Sequence, residues 1–149
     1  MNASAPDDPR WPRASRWLAD GPGRQQPWLG VLGVPAHLTS ISATNAHETP
    51  AAVRAALARY STWAESISRD LRELPVVDLG DVEDPDGPQG EARTQGLLAD
   101  WQGRLLVALG GDNSITYAVT RGMAADGLVT LDAHHDLRDG VSNGSPVQR

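Results

Sequence analysis

Apolar residues fall in short runs separated by polar stretches rich in glycine, proline and aspartate. Trp28-Leu29-Gly30-Val31-Leu32-Gly33-Val34-Pro35 is a strand-length run bounded by Gly and Pro. Leu74-Pro75-Val76-Val77-Asp78-Leu79-Gly80-Asp81 is a second, ending in acidic residues. Arg104 to Leu109 predicts a third strand, and Leu128-Val129-Thr130-Leu131 a fourth. Helical spacing lies between them. Thr49-Pro50 predicts a helix start, with Thr49 as N-cap, and Val53, Ala56, Leu57 and Tyr60 share one face of a helix running to about Trp63. Ala92 to Gly103 predicts a helix with Leu97, Leu98 and Trp101 on its apolar side, and Ile115 to Ala124 another. Val82 to Gly90 reads as loop. Strands alternating with helices, each strand a near-continuous apolar run, predict a parallel sheet covered by helices on both faces.

Residues 1–26 break this pattern. Pro6, Pro9, Pro12 and Pro22 alternate with Asp, Arg, Ser and Gly, and no apolar periodicity develops. The expectation is a loosely held N-terminal arm, the alternative a short helix in which Trp11, Trp17 and Leu18 pack on the body. The remainder, residues 27–149, is read as one α/β unit.

Composition narrows the partners. Of 149 residues, 13 are Lys or Arg and 19 Asp or Glu, giving a net charge of −6, and the basic residues are scattered. No basic stripe exists to follow a phosphate backbone, so nucleic acid is not an expected partner. There is no cysteine, which removes disulfides and thiolate ligation. No apolar run approaches the ~20 residues of a membrane span, so no membrane partner is expected and a cytoplasmic location is.

Chemistry concentrates near the C-terminal end. Asp132-Ala133-His134-His135-Asp136 follows the fourth apolar run directly. If strand geometry persists to its end, Asp132, His134 and Asp136 point the same way. Like charges this close repel unless a cation holds them, and carboxylate and imidazole without sulfur suit Mn, Zn or Fe. Gly110-Gly111-Asp112-Asn113-Ser114 is a tight strand-to-helix turn in which Asp112, Asn113 or Ser114 could cap the helix. Asp139-Gly140-Val141-Ser142-Asn143-Gly144-Ser145-Pro146 is a turn that could also present polar groups to a substrate. His37 and His47 read as solvated loop histidines.

These motifs resemble those of the ureohydrolase family of arginases, agmatinases and formimidoylglutamases. Asp132-Ala133-His134-His135-Asp136 is similar to that family's D-A-H-x-D motif, and Gly110 to Ser114 to its G-G-D-H-S motif, with Asn113 where the family has histidine. Weaker similarities are Gly33-Val34-Pro35, Thr49-Pro50 with Arg54, and Asp78-Leu79-Gly80-Asp81-Val82. The resemblance implies a three-layer α/β/α fold of arginase/deacetylase type, here truncated to its N-terminal half. It implies binuclear Mn2+-dependent hydrolysis of a C–N bond, with Asp132, His134 and Asp136 as catalytic metal ligands and Asn113 at a fourth ligand position. By the same resemblance Asp132 bridges the ions, and Arg138, Ser142, Asn143 and Gly144 hold the substrate. Asp136-Leu137-Arg138 and the following Asn143 to Val147 look most like formimidoylglutamase, implying hydrolysis of N-formimidoyl-L-glutamate to L-glutamate and formamide in histidine breakdown. The alternatives are an agmatinase or guanidino-acid hydrolase, or a truncated, non-catalytic chain. The partner implied is a small amidine or guanidine, with a homo-oligomer expected at full length and little activity from this chain alone.

Overall fold

The computed structural model describes residue 8 and residues 10–132. Strand β1 (Leu29–Val34) is its centre. It pairs in parallel with β4 (Val76–Asp81) on one side and β5 (Leu105–Gly110) on the other, giving the order β4-β1-β5. A small antiparallel hairpin, β2 (Trp63–Ala64) with β3 (Arg69–Asp70), lies between β1 and β4 in the chain. Among the described residues four α-helices flank the sheet: α1 (Ala14–Asp20), α2 (Thr49–Ala56), α3 (Gly87–Ala99) and α4 (Ile115–Gly122).

Strand residues alternate faces, and β1 is apolar on both. Leu32 and Val34 pack with Val82, Leu98, Ile115, Val119 and Met123, beneath α3 and α4. Val31 packs with Leu18, Val76, Trp17 and Leu57, beneath α1 and α2. Three layers result, with the parallel sheet in the middle, as the alternation of runs predicted.

Several boundaries differ from expectation, each for a local reason. Helix α3 begins at Gly87, inside the stretch read as loop, because Asp86 is extended at its N-cap and Pro88 is tolerated in a first turn. Its packed face is Gly90, Thr94 and Leu98, one residue per turn, and Leu97 is exposed instead. The helix ends at Ala99, so Trp101 lies beyond it. Helix α2 stops at Ala56 and tightens into a 3-10 turn at Leu57–Arg59, while Glu48, not Thr49, holds the N-cap. Trp63 therefore falls in the hairpin rather than on the helix. Helix α4 ends at Gly122, two residues early.

Part of the stretch read as an arm is ordered against the body. Helix α1 buries Ala14 and Leu18, and Trp17 Nε1 donates to the Leu74 carbonyl at 3.0 Å. Ala14 N donates to the Tyr60 carbonyl and Thr62 N to the Pro12 carbonyl. Seven residues are too few to be stable by propensity, so tertiary contact holds this helix.

The fourth strand is absent. Leu128 to Asp132 adopts no regular structure, and Leu128, Val129 and Leu131 are exposed, Leu131 almost wholly. Among the described residues no strand lies beside this stretch to supply a ladder. Strand alternation therefore does not place Asp132, and His134 and Asp136, expected to align with it, lie outside the described residues. Among the described residues, no helix is long and apolar enough to cross a membrane.

Layers are tied by one guanidinium. Arg54 of α2 grips Asp78 through Nε and Nη2, both at 2.8 Å, and reaches Asp81 through Nη1 at 2.6 Å. The hydrogen bonds from Arg54 hold Asp78 below the ordinary carboxylate range against the opposing effect of burial. Asp81 in turn lies so close to Gly33 that a Cβ there would fall 1.8 Å from its Oδ1.

Arg54→Met leaves two neighbouring carboxylates without this partner. We expect a loss of about 1–3 kcal/mol in urea unfolding, toward the lower end because the site is partly solvated. Since the folded pKa of Asp78 is depressed, the clamp's contribution is complete above about pH 4 and lost as pH falls through the folded value. Asp78→Asn should flatten that acid limb, and an unchanged limb would contradict the assignment.

Candidate functional site

Strands β1 and β5 run side by side to their carboxyl ends, where Val34 pairs with Gly110. Beyond that point the chain leaves in opposite directions, toward α2 on one face and α4 on the other. Where neighbouring parallel strands feed helices on opposite faces, a crevice opens at their carboxyl ends, and ligands of α/β folds bind there.

The backbones stay in contact past the strands. Gly111 N donates to the Val34 carbonyl at 3.1 Å, and Asp112 N to the Ala36 carbonyl at 2.9 Å. This contact requires glycine at 111, where a Cβ would fall 1.7 Å from the Ala36 carbonyl oxygen.

Asp112 is saturated with donors. Its Oδ1 accepts from Ser114 N at 3.1 Å and from the Ser114 hydroxyl. Its Oδ2 accepts from Thr39 Oγ1 and Ser40 Oγ, both at 2.9 Å. Burial alone would raise its pKa, but these hydrogen bonds from Ser114, Thr39 and Ser40 together hold it below the ordinary carboxylate range. Among the three cap candidates, Ser114 holds the N-cap position of α4 without a side-chain cap bond, while Asp112 accepts the Ser114 N–H just before the helix, where its charge suits the positive helix end.

A second carboxylate organises the same edge. Asp86 Oδ1 accepts from the backbone N–H groups of His37 at 2.9 Å and Leu38 at 2.8 Å. His37 Nδ1 lies 3.6 Å from Asp86 Oδ2, and the His37 ring faces that of His47 with centroids 4.5 Å apart. The 37–40 loop is thus fastened to the turn before α3 at one end and to the turn before α4 at the other. Thr39, Ser40 and Asp86 carried no sequence signal beyond their polarity, except that Asp86 precedes a Gly-Pro helix start.

Two nominated residues meet here. Asn113 Nδ2 donates to Asp132 Oδ2 at 3.3 Å, across nineteen positions of sequence. Contact is made by folding the chain back after α4, not by strand alternation. His134, Asp136, Arg138, Ser142, Asn143 and Gly144 lie outside the described residues. Among the described residues, no three His, Asp or Glu side chains are grouped closely enough to hold a metal ion. Asn113 and Asp132 by themselves fit a divalent cation in kind: both carry oxygen donors, and turning the Asn113 amide by half a rotation exchanges Nδ2 for Oδ1. Asp112, with both oxygens taken, does not offer itself as a ligand.

A cavity among the described residues lies elsewhere. It encloses about 450 Å3 between Arg13, Arg16, Trp17 and Arg72, on the amino-end side of β4.

The sequence matches the Arginase family over residues 28–149. A formimidoylglutamase of Halalkalibacterium halodurans is 34% identical over 140 residues, spanning 85% of this chain and 44% of that protein. An agmatinase of Pyrococcus horikoshii is 30% identical over 114 residues, 73% of this chain and 40% of that protein. Among solved structures, formimidoylglutamase from Bacillus subtilis superposes with a TM-score of 0.76 at 27% identity, covering 97% of this chain and 48% of that one. Formiminoglutamase of Trypanosoma cruzi with Mn2+2 gives a TM-score of 0.73 at 21% identity, over 90% of this chain and 48% of that one, and shares the fold. The chain spans about half the length of the curated relatives it matches.

Gly111→Ala should separate the β1 and β5 tails, because its Cβ meets backbone rather than a yielding side chain. The expected cost is about 1–3 kcal/mol in urea unfolding. A stability within about 0.5 kcal/mol of the parent, the range of an ordinary surface change, would contradict the close approach.

Proposed function

This chain belongs to the Arginase family, and from that premise we propose that it supplies half of a metal-dependent amidine hydrolase acting on N-formimidoyl-L-glutamate. The observation that carries the reading is the meeting of Asn113 and Asp132 on the exposed edge beyond the carboxyl end of β5. The formimidoylglutamase relative supports the substrate, and the Mn2+ named with the Trypanosoma cruzi enzyme supports the metal.

In this proposal Asp132, His134 and Asp136 hold Mn2+ with Asn113 beside them, and Arg138, Ser142, Asn143 and Gly144 bind the substrate. Bound divalent metal supplies Lewis acidity and lowers the pKa of water. Asp132 contributes negative charge that offsets the cation. Asn113 contributes a neutral oxygen where the resembling motif has an imidazole, so total charge is kept while donor strength falls. The overall change adds water across the formimidoyl C–N bond: the carbon leaves as formamide, and the glutamate nitrogen takes a proton and departs as the amine.

One feature favours a second reading. The described carboxyl edge carries Asp81, Asp84, Asp86, Asp112 and Asp132, against Arg54, which is committed to Asp78 and Asp81, and Arg93, which bonds the Glu83 and Asp84 carbonyls. Such a field suits a cationic guanidine better than a dicarboxylate, as in the agmatinase relative.

The protein carrying these residues, purified with Mn2+, is expected to release formamide from N-formimidoyl-L-glutamate faster than urea from agmatine. Asp132→Ala should weaken Mn2+ binding by more than about 100-fold, beyond the range seen for residues that merely support a ligand. Urea as the dominant product would transfer the assignment to the guanidine reading. Mn2+ binding indifferent to Asp132→Ala would remove the metal centre from this edge.

A further inference from the structure

Resting on the metal reading above, we propose that Asp112 is a positioning residue, through which the hydroxyls of Thr39 and Ser40 set the placement of Asn113 beside Asp132. A carboxylate has about four lone-pair sites, and Asp112 receives four donors: Ser114 N, the Ser114 hydroxyl, Thr39 Oγ1 and Ser40 Oγ. Nothing is left over for a metal, although Asp112 adjoins Asn113 in the chain. Its two oxygens instead face two different elements: Oδ1 serves Ser114 at the N-cap of α4, and Oδ2 serves the loop after β1.

The loop end of this bridge is itself anchored. Asp86 takes the His37 and Leu38 N–H groups, so Thr39 and Ser40 leave a fixed point and reach Asp112 with both hydroxyls. On the other side, the bond to Ser114 N spans two residues and encloses Asn113 in a short turn. The orientation of the Asp112 carboxylate therefore sets the peptide from which the Asn113 side chain projects. Backbone bonds from Gly111 and Asp112 bring the strand tails together but leave that orientation open. The two hydroxyls close it.

A bridge of this kind acts on metal affinity without touching metal. Partners one step removed from ligands typically change affinity by 10–100-fold when removed. The paired variant Thr39→Val with Ser40→Ala removes both donors while leaving Asp112, Asn113 and Asp132 intact. In the full protein, titration with Mn2+ followed by the loss of the free-ion electron paramagnetic resonance signal is expected to show affinity reduced 10–100-fold. The conservative pair Thr39→Ser with Ser40→Thr, which keeps both hydroxyls, should bind within about threefold of the parent. Thermal melts run alongside distinguish a loop that only stabilises. A lowered Tm with unchanged Mn2+ affinity in the Val/Ala pair would overturn the positioning role, as would equal weakening in the hydroxyl-retaining pair. Should the Val/Ala pair not fold, Ser40→Ala alone removes one of the two bonds and is expected to weaken binding several-fold; no change there overturns the proposal equally. A parent protein that binds no Mn2+ would overturn the metal reading itself, and the coupling with it.

Discussion

Strand β1 is hydrogen-bonded along both edges and covered on both faces, and the rest of the molecule follows from that confinement. A strand so placed cannot carry a charge without leaving it unsolvated and unpaired, a cost of several kcal/mol. Its residues are accordingly Leu, Val and Gly throughout. Polar chemistry is displaced to the first positions where the chain escapes, the carboxyl end. There the loops after β1, β4 and β5 meet, at the end of a sheet whose middle strand is the buried one.

Those loops are held by carboxylates rather than by apolar packing. Asp78 and Asp81 accept Arg54, Asp86 accepts two backbone N–H groups, and Asp112 accepts four side-chain and backbone donors from two elements. Each bond contributes only about 1 kcal/mol net, but a half-buried carboxylate left without donors costs more than it ever contributed. The edge is therefore ordered as a connected set, in which removing one donor disturbs its neighbours. Asn113 and Asp132 sit at the exposed limit of this set and inherit their geometry from it.

How far the sequence discloses this depends on whether a feature is local. The runs 28–35, 74–81 and 104–109 are strands because continuous apolarity with β-branched residues is a local signal, and the helices between them follow from spacing. The turn at Gly110 to Ser114 was legible because Gly-Gly followed by Asp, Asn and Ser can do little else. What was not legible depends on distant partners. Helix α1 exists because Trp17 finds the Leu74 carbonyl, and β2–β3 pairs only two residues per strand. The stretch Leu128 to Leu131 has every local mark of a strand yet forms none, since a strand also needs a neighbour. Thr39, Ser40 and Asp86 gain meaning only when three loops meet. In the same way, Asp132 was identified through its motif, while its contact with Asn113 came from the fold of the chain after α4.

The central claim is that the carboxyl edge beyond β1 and β5 carries a metal centre to which Asn113 and Asp132 belong. It is tested most directly by locating the metal in crystals grown with Mn2+, using anomalous scattering at the manganese edge. The account predicts an anomalous peak within bonding distance of an Asp132 carboxylate oxygen, with the Asn113 side chain beside it and Asp112 still turned toward Thr39, Ser40 and Ser114. A fully occupied manganese ligated away from Asp132, or ligated by Asp112, would contradict it.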